Sequence, residues 1–288
     1  MAAGLRKASP RRGNRWAWFV LPALLFLAVF FVYPLYEMLN RSFTEPDVGL
    51  QNYVAFFGTD VYVRVLINTL RISFLITAIC MLFAYPYAYI MAHASRRTAG
   101  VLLIAVLVPF WSSILVRTYA WAVILQDTGL INSLLLGLGL VDEPLSLVRN
   151  LLGTVIGMVH ILMPFMVLPI YAVMKGIDTN LVKAAANLGS SPLDAFRRVY
   201  LPLSLPGVFA GSLLVFVLSL GSYVTPAVLG NPDQAMLGQV IVTQVQSLLN
   251  WGMGAAMALI LLLVTLLILA IAGRIVNIGD AFGGRTTD

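Results

Sequence analysis

The sequence predicts an all-α integral membrane protein of about six transmembrane helices, with a structured loop on its cytoplasmic face. Three observations carry that prediction. Only 10% of the 288 residues are charged and 60% are hydrophobic, whereas about a quarter of an ordinary soluble domain is charged. Six windows are long enough to cross a hydrocarbon core of roughly 30 Å, which takes about 20 residues of helix. Basic residues collect in alternate loops, as membrane insertion favours.

The elements follow in order. Residues 1–15 form a basic tail, with Arg6, Lys7, Arg11, Arg12 and Arg15 ahead of a first span at 16–36. Such a tail stays in the cytoplasm. A basic stretch before an apolar run also opens a signal peptide, but this run is about twenty residues long. YEMLNRSF after it offers no small-x-small cleavage site, so the span is read as uncleaved. The second span covers 66–92 and the third 101–125, with Arg96 and Arg97 between them. The fourth covers 151–174 and is followed by Lys175. The fifth, 205–229, is the most interrupted, by Ser, Gly and Tyr. The sixth, 253–274, ends at Arg274 and leads into a tail at 275–288 that carries Arg285.

Threaded from a cytoplasmic N-terminus, these spans put Arg96, Arg97, Lys175, Lys183, Arg197, Arg198, Arg274 and Arg285 on that same side. Arg41, Arg64 and Arg149 fall in outer loops, and Arg71 and Arg117 fall within spans. The acids Glu37, Glu45, Asp47, Asp60, Asp127, Asp142, Glu143 and Asp233 lie outside. Both termini are therefore expected in the cytoplasm. The net charge of +6 follows from this topology, and no soluble basic surface exists to bind nucleic acid.

A search for catalytic chemistry ends empty. Cys80 is the lone cysteine and lies mid-span, which excludes disulfides. His93 and His160 cannot form a metal site by themselves, and packing or interfacial hydrogen bonding accounts for both. Lys7, Lys175 and Lys183 all lie outside any G-x-x-x-x-G-K-[ST] loop, so the chain has no P-loop for ATP and no cofactor of its own is expected. No span carries a deep Asp or Glu, which argues against an intramembrane protease and against a proton- or sodium-coupled carrier. Energy for uphill transport would come from another chain.

Several spans are irregular. Pro86, Pro109, Pro164, Pro169 and Pro226 fall within them, and each removes a backbone hydrogen bond. Two readings stand. Proline is commoner in membrane helices than in soluble ones, or the freed carbonyls line a wet path. In PFWSSILVRTYAWAVIL (109–125), Arg117 lies about eight residues from the outer end, roughly 12 Å deep. A charge there costs about 2–3 kcal/mol unless it snorkels or faces water. Tyr119 and Trp121 beside it also suit an outer aromatic belt. In SLGSYVTPAVLG (219–230), Ser222 and Thr225 share a helix face next to Tyr223 and Pro226, where helix packing by small residues is the alternative. The path candidates are Trp111, Arg117, Tyr119, Ser222, Tyr223, Thr225 and, in the next outer loop, Asp233.

The inner loop at about 175–204 is written in helix chemistry. KAAANL is a strong helix former stopped by Gly189. Ser191 then caps a second helix, with Pro192 at its first position and Asp194 three residues after the cap. Leu193, Phe196 and Val199 recur on one face, with Arg197 and Arg198 turned elsewhere. Leu201-Pro202 and Pro206-Gly207 end that helix and lead into the fifth span. A compact helix–turn–helix knob is expected. A passive cap on the bundle or an interfacial helix are the alternatives, and the Gly-Ser-Ser turn suits the latter poorly.

This loop resembles the cytoplasmic signature of permease subunits of binding-protein-dependent ABC importers: Glu-Ala-Ala, three residues, Gly, nine residues, Ile, one residue, Leu-Pro. Here Lys183-Ala184-Ala185, Gly189, Val199 and Leu201-Pro202 keep every spacing, with Lys183 in place of Glu and Val199 in place of Ile. VPFWSSILVRTYAWAVILQDTGLIN, HILMPFMVLPIYAVMKGID and LGSYVTPAVLGNPD likewise resemble stretches of the spermidine/putrescine subfamily. The resemblance runs from the first span to about residue 274. It implies the type I importer permease fold, with 16–274 as the permease domain and Ala184 to Arg198 as the coupling helix that docks on an ATPase. It further implies a second related permease, two ATPase subunits that bind the ATP, and an extracytoplasmic solute-binding protein. The implied solute is small and organic, a polyamine first. Amino-acid-like or phosphonate compounds are the alternative, because Arg117 suits an acid and no deep carboxylate awaits a polycation. The rival from another class is a self-sufficient carrier or channel.

Overall fold

The computed structural model describes residues 17–282. The basic tail expected at 1–15 and the last six residues of the tail expected at 275–288 lie outside the described residues. The first helix is longer than the expected 16–36. α1 (Ala17–Leu27) runs through a π-turn at Ala28–Val32 into α2 (Tyr33–Thr44). Side chains from Val20 to Val32, among them Leu25, Phe26 and Phe30, are exposed, as fits a helix end bathed in lipid.

A short α3 (Gln51–Gly58) leads to α4 (Asp60–His93), a 34-residue helix that continues through Pro86. At 1.5 Å per residue it is about 51 Å long, so it overshoots the hydrocarbon at its ends. Arg64 and Arg71 sit on its exposed side in the first three turns.

The third span is broken, contrary to the continuous helix expected at 101–125. α5 (Arg96–Leu107) ends in a 3₁₀ turn at Val108–Trp111, and α6 (Ile114–Leu125) restarts after two extended serines. Pro109 supplies no N–H to the helix ladder, and Ser113 caps the new start, its Oγ accepting from the Leu115 N–H at 3.3 Å. α7 (Leu130–Gly137) follows in the next loop.

α8 (Leu151–Gly176) is the central helix and continues through Pro164 and Pro169. It packs between α4 and α11 (Leu201–Leu220), and Ile76, Cys80, Ala84, Met158, Met166 and Ile170 fill the space between them. Hydrophobicity alone does not drive helices together in lipid, so close approach by small residues has to do so. A Cβ on Gly207 would sit 2.9 Å from the Pro169 carbonyl, and one on Gly211 would sit 3.0 Å from the Met166 carbonyl. Gly157 does the same for the short α12 (Val224–Leu229), where a Cβ would meet Leu229 Cδ1 at 2.6 Å.

The last stretch is also more structured than a plain loop. α13 (Leu237–Val242) dips back into the bundle, where the Leu237 N–H donates to Thr69 Oγ1 at 2.8 Å. Phe56, Leu237, Met253 and Met257 make a second core against α14 (Trp251–Phe282). α14 passes the expected end at 274 by eight residues. Among the described residues, six helical stretches are long and apolar enough to cross a membrane.

Candidate functional site

Two places in the fold gather the residues that the sequence singled out. The first is a cavity of about 380 Å³ between α6, α8 and the junction of α11 with α12. It exists because the fifth span is interrupted. α11 stops at Leu220, Gly221 to Tyr223 are irregular, and α12 restarts at Val224. The break falls at Gly221 rather than at Pro226, which is accommodated in the first turn of α12. α12 is held in place from two sides. Thr118 Oγ1 donates to the Ile114 carbonyl at 2.8 Å and lies 3.2 Å from Thr225 Oγ1. Gly157 lets α8 approach from the other side.

Arg117 lines this cavity together with Ser222, Tyr223 and Thr225. The restart of α6 puts it in the first helical turn, its N–H bonded to the Ser113 carbonyl at 3.1 Å. Its Nε and one Nη are closed off from solvent and have no hydrogen-bond partner among the described residues. Both ion pairs of the described residues lie elsewhere, Arg41 with Glu45 and Arg198 with Asp194. The remaining walls are apolar and aromatic, including Phe110, Met158, Phe165 and Leu218. Next to the cavity, Trp121 Nε1 donates to His160 Nδ1 at 3.0 Å. An indole only donates, so neutral His160 carries its proton on Nε2. His93 is likewise engaged, with Nδ1 2.9 Å from the Tyr89 carbonyl.

Three path candidates fall elsewhere. Trp111 is 76% exposed at the end of the 3₁₀ turn, and Tyr119 is exposed on the outside of α6. Trp111 precedes the start of α6, and Tyr119 lies on the side of α6 away from the inward-facing Arg117 and Thr118. Asp233 is exposed in a 3₁₀ turn at Pro232–Gln234 and offers its carbonyl to Asn68 Nδ2 at 3.4 Å. Sequence reasoning missed Phe110, Met158 and Phe165, since apolar residues on a span carry no signal that separates a cavity wall from a lipid face.

The second place is the knob, α9 (Thr179–Asn187) and α10 (Pro192–Ala195). Gly189 closes α9 at φ +86°. Its N–H bonds the Ala186 carbonyl at 3.0 Å and the Ser190 N–H bonds the Ala185 carbonyl at 3.1 Å, the paired Schellman pattern. Ser191 Oγ accepts from the Asp194 N–H at 3.2 Å and donates to Asp194 Oδ2 at 2.6 Å. The surface of the knob carries Lys183, Ala184, Leu193, Arg197, Arg198 and Leu188, the last 88% exposed. The Asp194–Arg198 pair at 3.9 Å is exposed and contributes little.

Two expectations for this loop are corrected. Leu201-Pro202 does not end the second helix. A π-turn at Phe196–Tyr200 joins α10 to α11, the Leu201 N–H reaching back to the Phe196 carbonyl. The wider turn tolerates the proline that follows, and one helical rod runs from Pro192 to Leu220. Leu193 is exposed rather than on the packing face. The extra residue in the π-turn makes Ala195 and Tyr200 the buried pair. Phe196 packs against Tyr200, Tyr89 and Tyr85 of α4, with ring centroids 5.9, 5.9 and 6.3 Å away. From Pro192 to Leu218 at the cavity wall is about 39 Å of helix, so knob and cavity lie at opposite ends of one rod.

Apolar spans around a largely apolar cavity edged by Arg117, Ser222, Tyr223 and Thr225, with a capped helical knob at the far end, define a multi-span membrane permease. Comparison with known proteins gives the family. Residues 14–277 match the family described as binding-protein-dependent transport system inner membrane component. The spermidine/putrescine transport system permease protein PotB of Escherichia coli is 33% identical over 241 residues, 83% of this chain and 87% of that one. A putative 2-aminoethylphosphonate transport system permease protein of Salmonella typhimurium is 26% identical over 213 residues, 72% of this chain and 73% of that one. Among solved structures, a bacterial alginate ABC transporter in complex with its pentasaccharide-bound periplasmic protein matches with a TM-score of 0.71 and 18% identity. The match covers 90% of this chain and 93% of that one and speaks to the fold alone. The chain belongs to the family of inner membrane components of binding-protein-dependent transport systems. It is a transport permease of an ABC importer, not an enzyme.

Proposed function

We propose that this chain forms half of the membrane path of an ATP-driven importer, with both termini in the cytoplasm. A second related permease supplies the other half. Two ATPase subunits bind the ATP, and an extracytoplasmic solute-binding protein delivers the solute. The observation that carries this reading is the rod from Pro192 to Leu220, with the capped knob at one end and the cavity wall at the other. The knob residues Lys183, Ala184, Ala185, Gly189, Ser191, Pro192, Asp194, Phe196, Arg197, Arg198, Leu201 and Pro202 take the ATPase contact. Movement of the knob then shifts Leu218 and the Gly221 break, and the cavity opens to one side or the other.

The solute is small and bears an amine. A polyamine is the first reading, on the printed name of the Escherichia coli relative. An acid-bearing amine is the second, supported by Arg117 in the cavity and by the name of the Salmonella relative. Copurification and reconstitution test the architecture. The tagged chain should bring down an ATPase and a second permease, and uptake should require ATP and the binding protein. Uptake by the chain alone, driven by an ion gradient, refutes the proposal.

A further inference from the structure

We infer that α4 is a second drive helix, which takes up the movement of the knob at its cytoplasmic end and delivers it to the outer segment at 230–250, with Tyr89 and Thr69 as the positioning residues. The inference rests on the importer reading above and adds a route beside the rod. The rod loses its continuity near the outer side, because α11 ends at Leu220 and Gly221 to Tyr223 are irregular. α4 runs as one helix from Asp60 to His93. From Thr69 to Tyr89 is about 30 Å of that helix.

The cytoplasmic end of α4 grips the knob with rings. Phe196 meets Tyr85 and Tyr89 edge-on, with centroids 6.3 and 5.9 Å away. Tyr200, buried at the end of the π-turn, meets Tyr89 edge-on at 5.2 Å and His93 at 5.3 Å. The Tyr85 and Ser204 hydroxyls lie 3.0 Å apart and fasten the start of α11 to the same helix. Edge-to-face rings hold a preferred geometry, so a shift of the knob is passed to α4 rather than absorbed between them. Pro86 lies between Tyr85 and Tyr89, and the grip therefore straddles the residue that would otherwise let the helix end bend away.

At its other end α4 carries the outer segment. Three hydrogen bonds among the described residues join the two: Asn68 Nδ2 to the Asp233 carbonyl at 3.4 Å, the Leu237 N–H to Thr69 Oγ1 at 2.8 Å, and Gln244 Nε2 to the Tyr62 hydroxyl at 3.2 Å. Thr69 is fully buried and donates its own proton to the Val65 carbonyl at 2.7 Å, which leaves its oxygen to accept from Leu237. Val65 and Leu237 share one core with Phe56 and Met257. α13 in turn stands on the rim of the cavity, where a Cβ on Gly238 would sit 2.9 Å from the Ser222 carbonyl. Movement of α4 thus reaches the cavity edge from the outer side, past the break in the fifth span.

The test uses the complete transporter in proteoliposomes. Thr69→Val keeps the shape and removes the acceptor, whereas Thr69→Ser keeps the acceptor. Tyr89→Leu removes the ring, whereas Tyr89→Phe keeps it. Thr69→Val and Tyr89→Leu should each lower the stimulation of ATP hydrolysis by loaded binding protein about fivefold or more, as loss of one buried contact requires. Thr69→Ser and Tyr89→Phe should stay near the parent, which a merely structural defect would not sort in this way. Since both residues act on one helix, the double variant should lose little more than the worse single one. Hydrogen exchange at 230–250 should respond to a non-hydrolysable ATP analogue in the parent and in Tyr89→Phe, and not in Tyr89→Leu. That measurement carries the test if Thr69→Val fails to assemble, which copurification of the companion subunits reads directly. Unchanged stimulation in either variant, losses that multiply in the double variant, or a nucleotide response at 230–250 that survives Tyr89→Leu overturns the inference. The importer reading fails separately, only if uptake proves independent of ATP or no ATPase copurifies.

Discussion

Replacing Gly189 isolates the turn of the knob from everything packed around it. Gly189 sits at φ +86°, and a Cβ built there meets nothing within 4 Å. Gly189→Ala therefore introduces no clash and only forces an L side chain into the left-handed region, at a cost of about 1–2 kcal/mol. At about 1.4 kcal/mol per factor of ten, that lowers the closed knob population roughly five- to thirtyfold relative to its opened forms. Gly189→Asn should be milder, because asparagine tolerates this region. Gly189→Pro fixes φ near −65° and removes the N–H that bonds Ala186, adding about 1 kcal/mol for the lost bond to the conformational penalty. In proteoliposomes with the companion subunits, uptake should fall in the order Gly, Asn, Ala, Pro. ATP hydrolysis should lose its dependence on loaded binding protein in the same order. Unchanged, coupled uptake in Gly189→Pro refutes the assignment of the knob as the drive contact. Equal damage from Asn and Pro refutes the argument from backbone conformation.

Other consequences are as direct. Gly211→Leu puts a side chain against the Met166 carbonyl and Sδ, both 3.0 Å from a built Cβ. It should cost about 1–3 kcal/mol by overpacking, read as a lower melting temperature in detergent, with Gly211→Ala less affected. Asn132 is fully buried and holds the loop after the third span. Its Nδ2 donates to the Gln126 and Leu145 carbonyls and its Oδ1 accepts from the Leu145 N–H at 2.8 Å. Asn132→Ala should cost about 1–3 kcal/mol and make residues 126–150 selectively sensitive to protease while the spans stay inserted.

The described spans were legible because insertion into lipid depends on local sums. Hydropathy over a window needs no tertiary partner, so among the described residues six apolar helical stretches overlap the six expected, the fourth matching within two residues at both ends while the fifth runs from Pro192 to Leu220 instead of 205–229. Their interruptions were less legible. The break in the third span falls at Pro109, one of five prolines expected within continuous spans, and the break in the fifth falls at Gly221 instead of at Pro226. In lipid a proline is tolerated within a helix when neighbours satisfy the freed carbonyls, as at Pro86, Pro164 and Pro169. The knob was read nearly whole, since its caps are bonds between residues three to five apart. Its junction with the fifth span was misread, because a π-turn leaves no pattern that distinguishes it from a stop at Leu201-Pro202.

By itself the sequence determined that this is a six-span membrane protein with a capped helix–turn–helix between its fourth and fifth spans, because hydropathy, charge and capping all act over short stretches. Only the tertiary structure decided which polar residues share a site. Arg117 and Ser222 are 105 residues apart, and neither Trp111 nor Tyr119, much nearer in sequence, joins them in the cavity. The grouping depends on how closely α11 and α12 approach α8. The backbones at Gly157, Gly207 and Gly211 set that approach, through contacts that no local pattern encodes.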